Sequence, residues 1–327
     1  MGLFKRDGVD PSSEHRDWQL VSMIAQESLK EQRRSRRWGI FFKSLTFLYM
    51  SALFVAIFQQ STAHSTQGIT KDHTGIVYLN GQISTNQPAN ADNIVHGLRK
   101  AFANQFSKAV ILAINSPGGS PVQSGYVYDE IKRLRSEYPD KKLYAVIGDI
   151  GASGGYYIAA AADEIYADKS SLVGSIGVIS ANFGFVDLIE KLGVERRNYA
   201  AGKHKNFLDP FSPQREDETV FWESVLNSTH QQFIRAVKEG RGNRLIEDEK
   251  LFSGLVWNGE QALDIGLIDG LGSAGFVARE IIQLEDTYDY TYKPTPFETL
   301  VERFAVSIGK GLGYAVNATL NSPMQFR

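Results

Sequence analysis

Ser153 is the residue of this sequence best placed to act as a nucleophile. It lies in the segment GASGG (151–155), soon after the apolar run LYAVI (143–147). Small neighbours let a substrate backbone approach a hydroxyl closely. The first N–H groups of a following helix are free to bind a developing negative charge. The spacing therefore predicts acyl-transfer chemistry at the junction of a strand and a helix.

A second glycine turn could supply the other half of an oxyanion hole. The segment NSPGG (115–119) follows the apolar run AVILAI (109–114). A tetrahedral intermediate needs two backbone donors, and each contributes roughly 3 kcal/mol to its stabilisation. Two other interpretations remain open from the local sequence: Ser153 caps a helix, or the turns cradle a phosphate or coenzyme A. Neither a Walker lysine nor a GxGxxG pattern occurs at these turns.

A serine hydroxyl needs a base, and histidine is one candidate because GASGG matches GxSxG. The partners would be His204 or His230, with an acid such as Asp187 between them and the serine. His230 lies in STHQQ on a helix face that reads as solvated. His204 lies between two lysines, which disfavours a carboxylate–imidazolium pair there. The HGGG-like element expected upstream is missing, so a Ser–Asp–His triad ranks below the alternative.

The alternative base is a lysine. Residues 199–211, YAAGKHKNFLDPF, form a loop bounded by glycine and proline that contains Lys203 and Lys205. Burial lowers the pKa of a lysine and so makes an uncharged amine available. The competing interpretation for either lysine, and for Lys169, is an ordinary surface charge.

Strands alternating with helices are predicted to position these groups. Besides the two apolar runs, strands are predicted over 75–79 and 164–167, helices over 91–106, 122–134, 153–162 and 214–239, and a last α/β portion over 256–284. This alternation predicts an α/β fold with a mainly parallel sheet. Sites in such sheets lie at the carboxyl ends of strands, where both glycine turns fall.

Composition excludes several other chemistries. The 327-residue chain has no cysteine and six histidines, which excludes disulfides, thiolate metal sites and a cysteine nucleophile. No HExxH pair occurs, so a histidine metal site is disfavoured. The net charge of −2 argues against a general nucleic-acid binder. With 43% hydrophobic and 22% charged residues, the chain can bury a sizeable core of one or two domains.

Residues 39–58, GIFFKSLTFLYMSALFVAIF, predict a membrane-spanning helix. At 1.5 Å per residue this length spans about 30 Å, the thickness of a hydrocarbon core. Its one charge, Lys43, lies near the start and can snorkel to the interface. The basic residues just before it, RRSRR (33–37), predict a cytoplasmic N-terminus. A cleaved signal peptide is the first alternative, disfavoured by the long polar segment before it; a buried core helix is the second, disfavoured by the lack of an amphipathic stripe.

Five segments occur in a family-like order: INSPGG (114–119), GASGGYYIA (151–159), GSIGVI (174–179), AGKHKNFLDPF (201–211) and WNGEQALDIGLIDGLGS (257–273). Together they resemble the bacterial signal peptide peptidase A, or protease IV, family, in its short form with one N-terminal anchor. The resemblance covers roughly residues 73–285. INSPGG alone also occurs in caseinolytic protease and crotonase relatives, whereas Ser-Gly-Gly followed by GSIG and a lysine loop is much more specific.

The resemblance implies a serine peptidase with a ClpP/crotonase-like fold. Ser153 matches the family's nucleophile, and Lys205 matches its general base, with Lys203 as the fallback within GKHK. Ser175 matches a serine that orients that lysine. The reaction would be peptide hydrolysis through an acyl-enzyme, with no metal and no cofactor.

The resemblance also implies which backbone groups bind the oxyanion. The N–H groups of Gly119 and Gly154 match the family's oxyanion hole, and Gly118 remains an alternative donor. Family members form homo-oligomers, and in short forms the serine and lysine of one site can come from neighbouring subunits. The implied substrates are remnant signal peptides or unfolded hydrophobic peptides.

The predicted organisation has five parts: a cytoplasmic segment (1–38), the anchor (39–58), a linker (59–72), the peptidase domain (73–285) and a C-terminal tail (286–327). Within the tail, residues 297–320 have helical spacing. The location implied is the bacterial inner membrane with a periplasmic catalytic domain. Two alternatives belong to other classes: a catalytically silent membrane scaffold on the same fold, and a crotonase-like acyl-CoA enzyme.

Overall fold

The computed structural model describes residues 11–66, 70–246 and 248–294. The chain divides into two compact units, one that contains the N-terminal helix and one over Ile69–Lys293. Helix α1 runs from Pro11 to Thr66 and continues through the first part of the predicted linker. Its stretch Lys30–Ala56 contains an 18-residue window with a mean hydropathy of 1.6, and α1 is the one helix in the described part that is long and apolar enough to cross a membrane.

The second unit is a mixed α/β fold. Its strands are β1 His73–Asn80, β2 Ser107–Ser116, β3 Leu143–Ala152, β4 Glu164–Ala167, β5 Leu172–Gly174, β6 Val256–Trp257, β7 Gly270–Leu271 and β8 Thr287–Asp289. Its helices are α2 Ala91–Ala103, α3 Pro121–Glu137, α4 Gly154–Ala159, α5 Val186–Lys191, α6 Glu216–Arg241, α7 Gly259–Asp264 and α8 Ala274–Phe276. Short 3₁₀ turns at Gly242–Arg244 and Glu249–Phe252 and a π-helical turn at Val277–Ile281 complete it.

The sheet has the order β6-β5-β3-β2-β1-β8, and β4 joins β3 to β7 beside this path. All pairs are parallel except β5 with β6, which is antiparallel. The α/β class with a mainly parallel sheet is therefore confirmed. Because the long strands β1, β2 and β3 are parallel neighbours, their carboxyl ends meet at one edge.

The core lies on both faces of this sheet. Alternate residues of β2 point to opposite faces: Val110, Leu112 and Ile114 belong to the larger apolar cluster, which also contains residues of α2, α3, α4 and α6. Ile111 belongs to a smaller cluster with Val277 of the π-helical turn. Burial on both faces explains the uninterrupted apolar run of β2.

Three elements have no counterpart in the sequence-based prediction. Strand β5 and helix α5 lie in a stretch without apolar periodicity, and β8 is only three residues long. β8 pairs in parallel with β1, and the buried Tyr290 follows it. The compact unit consequently extends to Lys293, beyond the predicted boundary at residue 285. The helical spacing over 297–320 lies outside the described residues.

Candidate active site

Ser153 lies at the carboxyl end of β3, between this strand and α4. Its N–H donates to the Gly174 carbonyl at 2.8 Å, which continues the β3–β5 pairing by one residue. The backbone has φ 51° and ψ −122°, a combination that glycine favours and that costs another residue about 1–3 kcal/mol. The residue is half-buried, so its side chain retains access to solvent.

Helix capping does not explain this conformation. Ser153 precedes the first residue of α4, but its side chain accepts no capping hydrogen bond. The Ser153 and Ser175 hydroxyls make no hydrogen bond to any other residue that the structure describes. Backbone strain that no side-chain hydrogen bond offsets is typical of a functional position.

The Gly118–Gly119 turn packs directly against this junction. A Cβ atom on Gly118 would lie 2.6 Å from the Gly154 nitrogen, 2.7 Å from Ser153 Cβ and 2.8 Å from the Ala152 carbonyl oxygen. With φ at +96° as well, Gly118 is a position that requires glycine. The two glycine segments of the sequence therefore meet at one place.

Two backbone donors at this junction are free. The Gly118 N–H is engaged, since it donates to Ser116 Oγ at 3.1 Å. The N–H groups of Gly119 and Gly154 have no acceptor within the described part of the chain. A Cβ on Gly154 would lie 3.3 Å from the Gly119 nitrogen, so the two donors are close together. This geometry favours Gly119 over Gly118 as the second oxyanion donor.

Ile83, which the sequence did not single out, fixes the Gly118–Gly119 turn. Its N–H donates to the Gly118 carbonyl at 2.8 Å, and its carbonyl accepts from the Ser120 N–H at 2.8 Å. Its side chain is fully buried. Ser120 then caps α3, with its side-chain oxygen accepting from the Gln123 N–H at 3.4 Å. The turn is held from both sides, which preorganises its free N–H.

Ser175 lies directly after β5, in register with Ser153. Because Ala152 pairs with Gly174, the next residue of each strand is a serine. Ser175 also has φ 51°, and its N–H donates to the Leu255 carbonyl at 2.7 Å. The structure therefore brings together Ser153, Ser175 and the two glycine turns.

Lys205 and Lys203 are exposed in the isolated chain. The Lys205 N–H donates to the Gly202 carbonyl at 3.1 Å, and its side chain lines an open groove of about 670 Å³ with Tyr199 and Pro210. Its amine makes no hydrogen bond or ion pair among the residues described. The structure of one chain thus does not join either loop lysine to the serines.

Both histidine expectations are corrected. His230 is not on a solvated face: it is partly buried, and its Nε2 lies 3.0 Å from the Ile176 carbonyl oxygen. His204 does have an acidic neighbour, since its Nδ1 lies 3.7 Å from Glu218 Oε1. Neither ring is hydrogen-bonded to Ser153, so the described part of the chain forms no Ser–Asp–His triad. It also holds no group of three or more potential metal ligands.

Lys141 has the perturbed chemistry expected of a base, but not the position. Burial, and then the neighbouring charge of Lys108, lower its pKa to about 8. Its amine donates to the carbonyls of Phe102 at 2.6 Å and Asn104 at 2.8 Å, and so caps the end of α2. It precedes β3, whose ten residues span about 30 Å. Lys141 therefore lies at the opposite end of the strand from Ser153.

A mainly parallel sheet with a serine and two free N–H groups at its carboxyl edge defines the class, an α/β protein with a candidate acyl-transfer site. Comparison with known proteins agrees with this class. The family model described as peptidase family S49 matches residues 136–287, a range that contains Ser153, Ser175 and Lys205. The turn at Gly118–Gly119 lies outside this range, on its N-terminal side.

Curated relatives extend the match. A putative protease of Methanocaldococcus jannaschii is 30% identical over 212 residues, 63% of this chain and 67% of that protein. A putative signal peptide peptidase SppA of Enterococcus faecium is 34% identical over 184 residues, 56% of this chain and 53% of that protein. The chain belongs to peptidase family S49, the signal peptide peptidase A family.

One further relative carries a different name. A protein named Na(+)/H(+) antiporter NhaA of Brucella melitensis is 51% identical over 175 residues, which is 54% of this chain but only 24% of that protein. The chain thus spans about a quarter of this relative and about half of the enterococcal one. About three quarters of the protein that carries the antiporter name lies outside the region matched by this chain.

Proposed function

We propose that this chain is a membrane-anchored serine endopeptidase with Ser153 as nucleophile and Lys205 as general base. One observation carries the proposal: Ser153 is held at φ 51° without a capping bond, beside the free N–H groups of Gly119 and Gly154. A hydroxyl in a strained turn under two backbone donors is the arrangement that acyl transfer requires.

The proposed reaction has two halves. The Ser153 oxygen attacks the peptide carbonyl carbon while its proton passes to the uncharged Lys205 amine. The oxyanion accepts hydrogen bonds from Gly119 and Gly154. When the C–N bond breaks, the protonated lysine gives its proton to the leaving amine, which leaves an acyl ester on Ser153. Water then attacks the ester by the same route and restores the serine.

Ser175 is proposed to orient the lysine. It follows the strand paired with that of Ser153, and its hydroxyl is unengaged in the described part of the chain. An oxygen acceptor beside an amine directs the nitrogen lone pair toward the proton it must take. This role is consistent with the register of the two serines and with their common φ of 51°.

A second copy of the chain is proposed to complete the site. Lys205 is exposed, and a base lysine must lose hydration to become uncharged. The segment that leads into its loop exposes large apolar side chains: Ile179 is 86%, Phe183 79%, Leu192 66% and Tyr199 90% exposed. Exposed apolar residues in such numbers mark an interaction surface. If a neighbouring copy covered this surface, Lys205 would lose hydration and would lie next to the Ser153 of that copy.

Helix α1 supports the proposed anchoring and location. The basic residues 33–37 of α1 and the apolar residues that follow them support a single span with the N-terminus in the cytoplasm. The catalytic unit would then act at the outer face of the inner membrane. Peptides left in that membrane, such as remnant signal peptides, are the substrates that we propose.

The test is labelling with a serine-directed fluorophosphonate in detergent-solubilised full chain. We expect modification at Ser153, located by mass spectrometry, and loss of both labelling and peptidase activity in Ser153→Ala. The exposed Ser170 gives a matched control, and Ser170→Ala should behave as wild type. Unchanged peptide turnover in Ser153→Ala would end the proposal.

A further inference from the structure

His230 is a residue that the proposed mechanism leaves unused. It lies on α6, on the same face as Phe233 and Val237, at i, i+3 and i+7. Phe233 is 5% and Val237 0% exposed, so this face packs on the core. The histidine ring is therefore directed into the molecule rather than into solvent.

The ring reaches the loop that carries Ser175. His230 Nε2 lies 3.0 Å from the carbonyl oxygen of Ile176. A carbonyl oxygen can only accept, so Nε2 must carry the proton.

This contact falls where the loop needs support. Ser175 has φ 51°, a conformation that costs a residue other than glycine about 1–2 kcal/mol. Its own N–H is held by the Leu255 carbonyl at 2.7 Å, and its carbonyl accepts from Gly177 at 2.9 Å. The Ile176 carbonyl is then fixed from the outside by His230. The turn is thereby held by three hydrogen bonds.

We propose that His230 is a positioning residue: by donating to the Ile176 carbonyl it fixes the turn that presents the Ser175 hydroxyl to the base. This inference depends on the proposed function, in which Ser175 orients Lys205. In this proposal, His230 acts on Ser153 through the turn that contains Ile176 and Ser175. A role in stability alone is the competing explanation.

The test compares two substitutions of similar bulk. His230→Leu removes the donor, whereas His230→Gln keeps an N–H that can reach the carbonyl. We expect His230→Leu to lower kcat about 10-fold with KM within twofold, the effect of losing one hydrogen bond. His230→Gln should recover most of the loss, and Gln231→Ala, at the exposed neighbour on α6, should match wild type. Active-site titration with the fluorophosphonate gives the folded enzyme concentration in each case.

Coupling to Ser175 separates positioning from stability. If His230 acts through Ser175, adding His230→Leu to Ser175→Ala should lower kcat by less than a further twofold. Effects that multiply, or a His230→Leu enzyme with normal kcat, would overturn the positioning role. Failure of wild-type enzyme to label at Ser153 would instead overturn the proposed function, so the two failures are distinguishable.

Discussion

Ser153 and Ser175 lie one residue beyond the register pair Ala152–Gly174, and both have a backbone φ of 51°. The Ser153 N–H donates to the Gly174 carbonyl, the residue just before Ser175. Two parallel strands thus end at the same level in two strained turns, each bearing a hydroxyl. The geometry of the sheet, rather than separation along the chain, makes these two serines neighbours.

The strain at Ser153 predicts different stabilities for two inactive variants. Ser153→Ala and Ser153→Gly both remove the hydroxyl and should both abolish turnover. Glycine relieves the cost of φ 51° but loses more backbone entropy on folding, which leaves a net gain over alanine of about 0.5–1 kcal/mol. Urea unfolding should show the glycine variant as the more stable of the two. Equal midpoints would contradict a strained nucleophile turn.

The packing of Gly118 predicts a loss of both activity and stability in Gly118→Ala. The new methyl group would meet the Gly154 nitrogen and Ser153 Cβ, so the proposed oxyanion donors would have to move apart. We expect kcat to fall about 100-fold and the free energy of unfolding to fall by about 2 kcal/mol.

The control for this substitution is Gly125→Ala. Gly125 lies in α3, and a Cβ there would meet nothing within 4 Å. Alanine in a helix should raise stability by up to about 1 kcal/mol and leave kcat unchanged. Equal effects of the two substitutions on kcat would contradict the proposed oxyanion site.

The lysine loop predicts unequal effects of two neighbouring substitutions. Lys205→Ala should reduce kcat to the level of Ser153→Ala, whereas Lys203→Ala should retain most of its activity. The two side chains are both exposed in one chain. A difference in kcat between the two variants would therefore reflect the site as it forms in the assembled oligomer. Steady-state kinetics on a peptide substrate gives the answer. The reverse pattern would assign the base to Lys203.

A site shared between copies predicts complementation. Ser153→Ala and Lys205→Ala subunits should each be inactive alone, but co-assembly in equal amounts should restore about a quarter of the sites if each site takes its serine and lysine from different copies. The measurement is turnover after co-expression with two purification tags. Complete inactivity of verified mixed oligomers would place both residues in one chain.

Glu130 predicts a loss of stability in acid. Hydrogen bonds from Arg133 and Arg99 lower its pKa from 4.5 to about 2. A carboxyl group with a lowered folded-state pKa stabilises the protein above its unfolded pKa, and this contribution is lost as the pH falls from about 4.5 to 2. Because both guanidinium groups are more than half exposed, we expect about 1–2 kcal/mol. Urea unfolding of wild type and Glu130→Gln between pH 2 and 7 should show a steeper acid loss in wild type.

Local patterns determined most of the architecture. Apolar runs predicted the buried strands β2 and β3, because a parallel strand covered on both faces has no polar side to show. Glycine spacing located both turns, and the apolar stretch after RRSRR located the one helix among the described residues that is long and apolar enough to span a membrane. By contrast, β5 and β8 have three residues each, too few to produce a period, and only pairing with longer strands defines them.

The candidate nucleophile and the glycine turns could be named from the sequence because each is a local signal that precedes or follows a strand. The sequence could not show which backbone N–H is free, because that depends on the hydrogen bond from the Gly118 N–H to Ser116 Oγ. The polar neighbours of His230 in STHQQ predict a solvated position, whereas its spacing to Phe233 and Val237 puts it on the buried face of α6. The register of Ser153 with Ser175, and the contact from His230 to Ile176, depend on strands and a helix distant in sequence. Tertiary structure alone decides such contacts, because they are set by packing between elements and not by propensity within them.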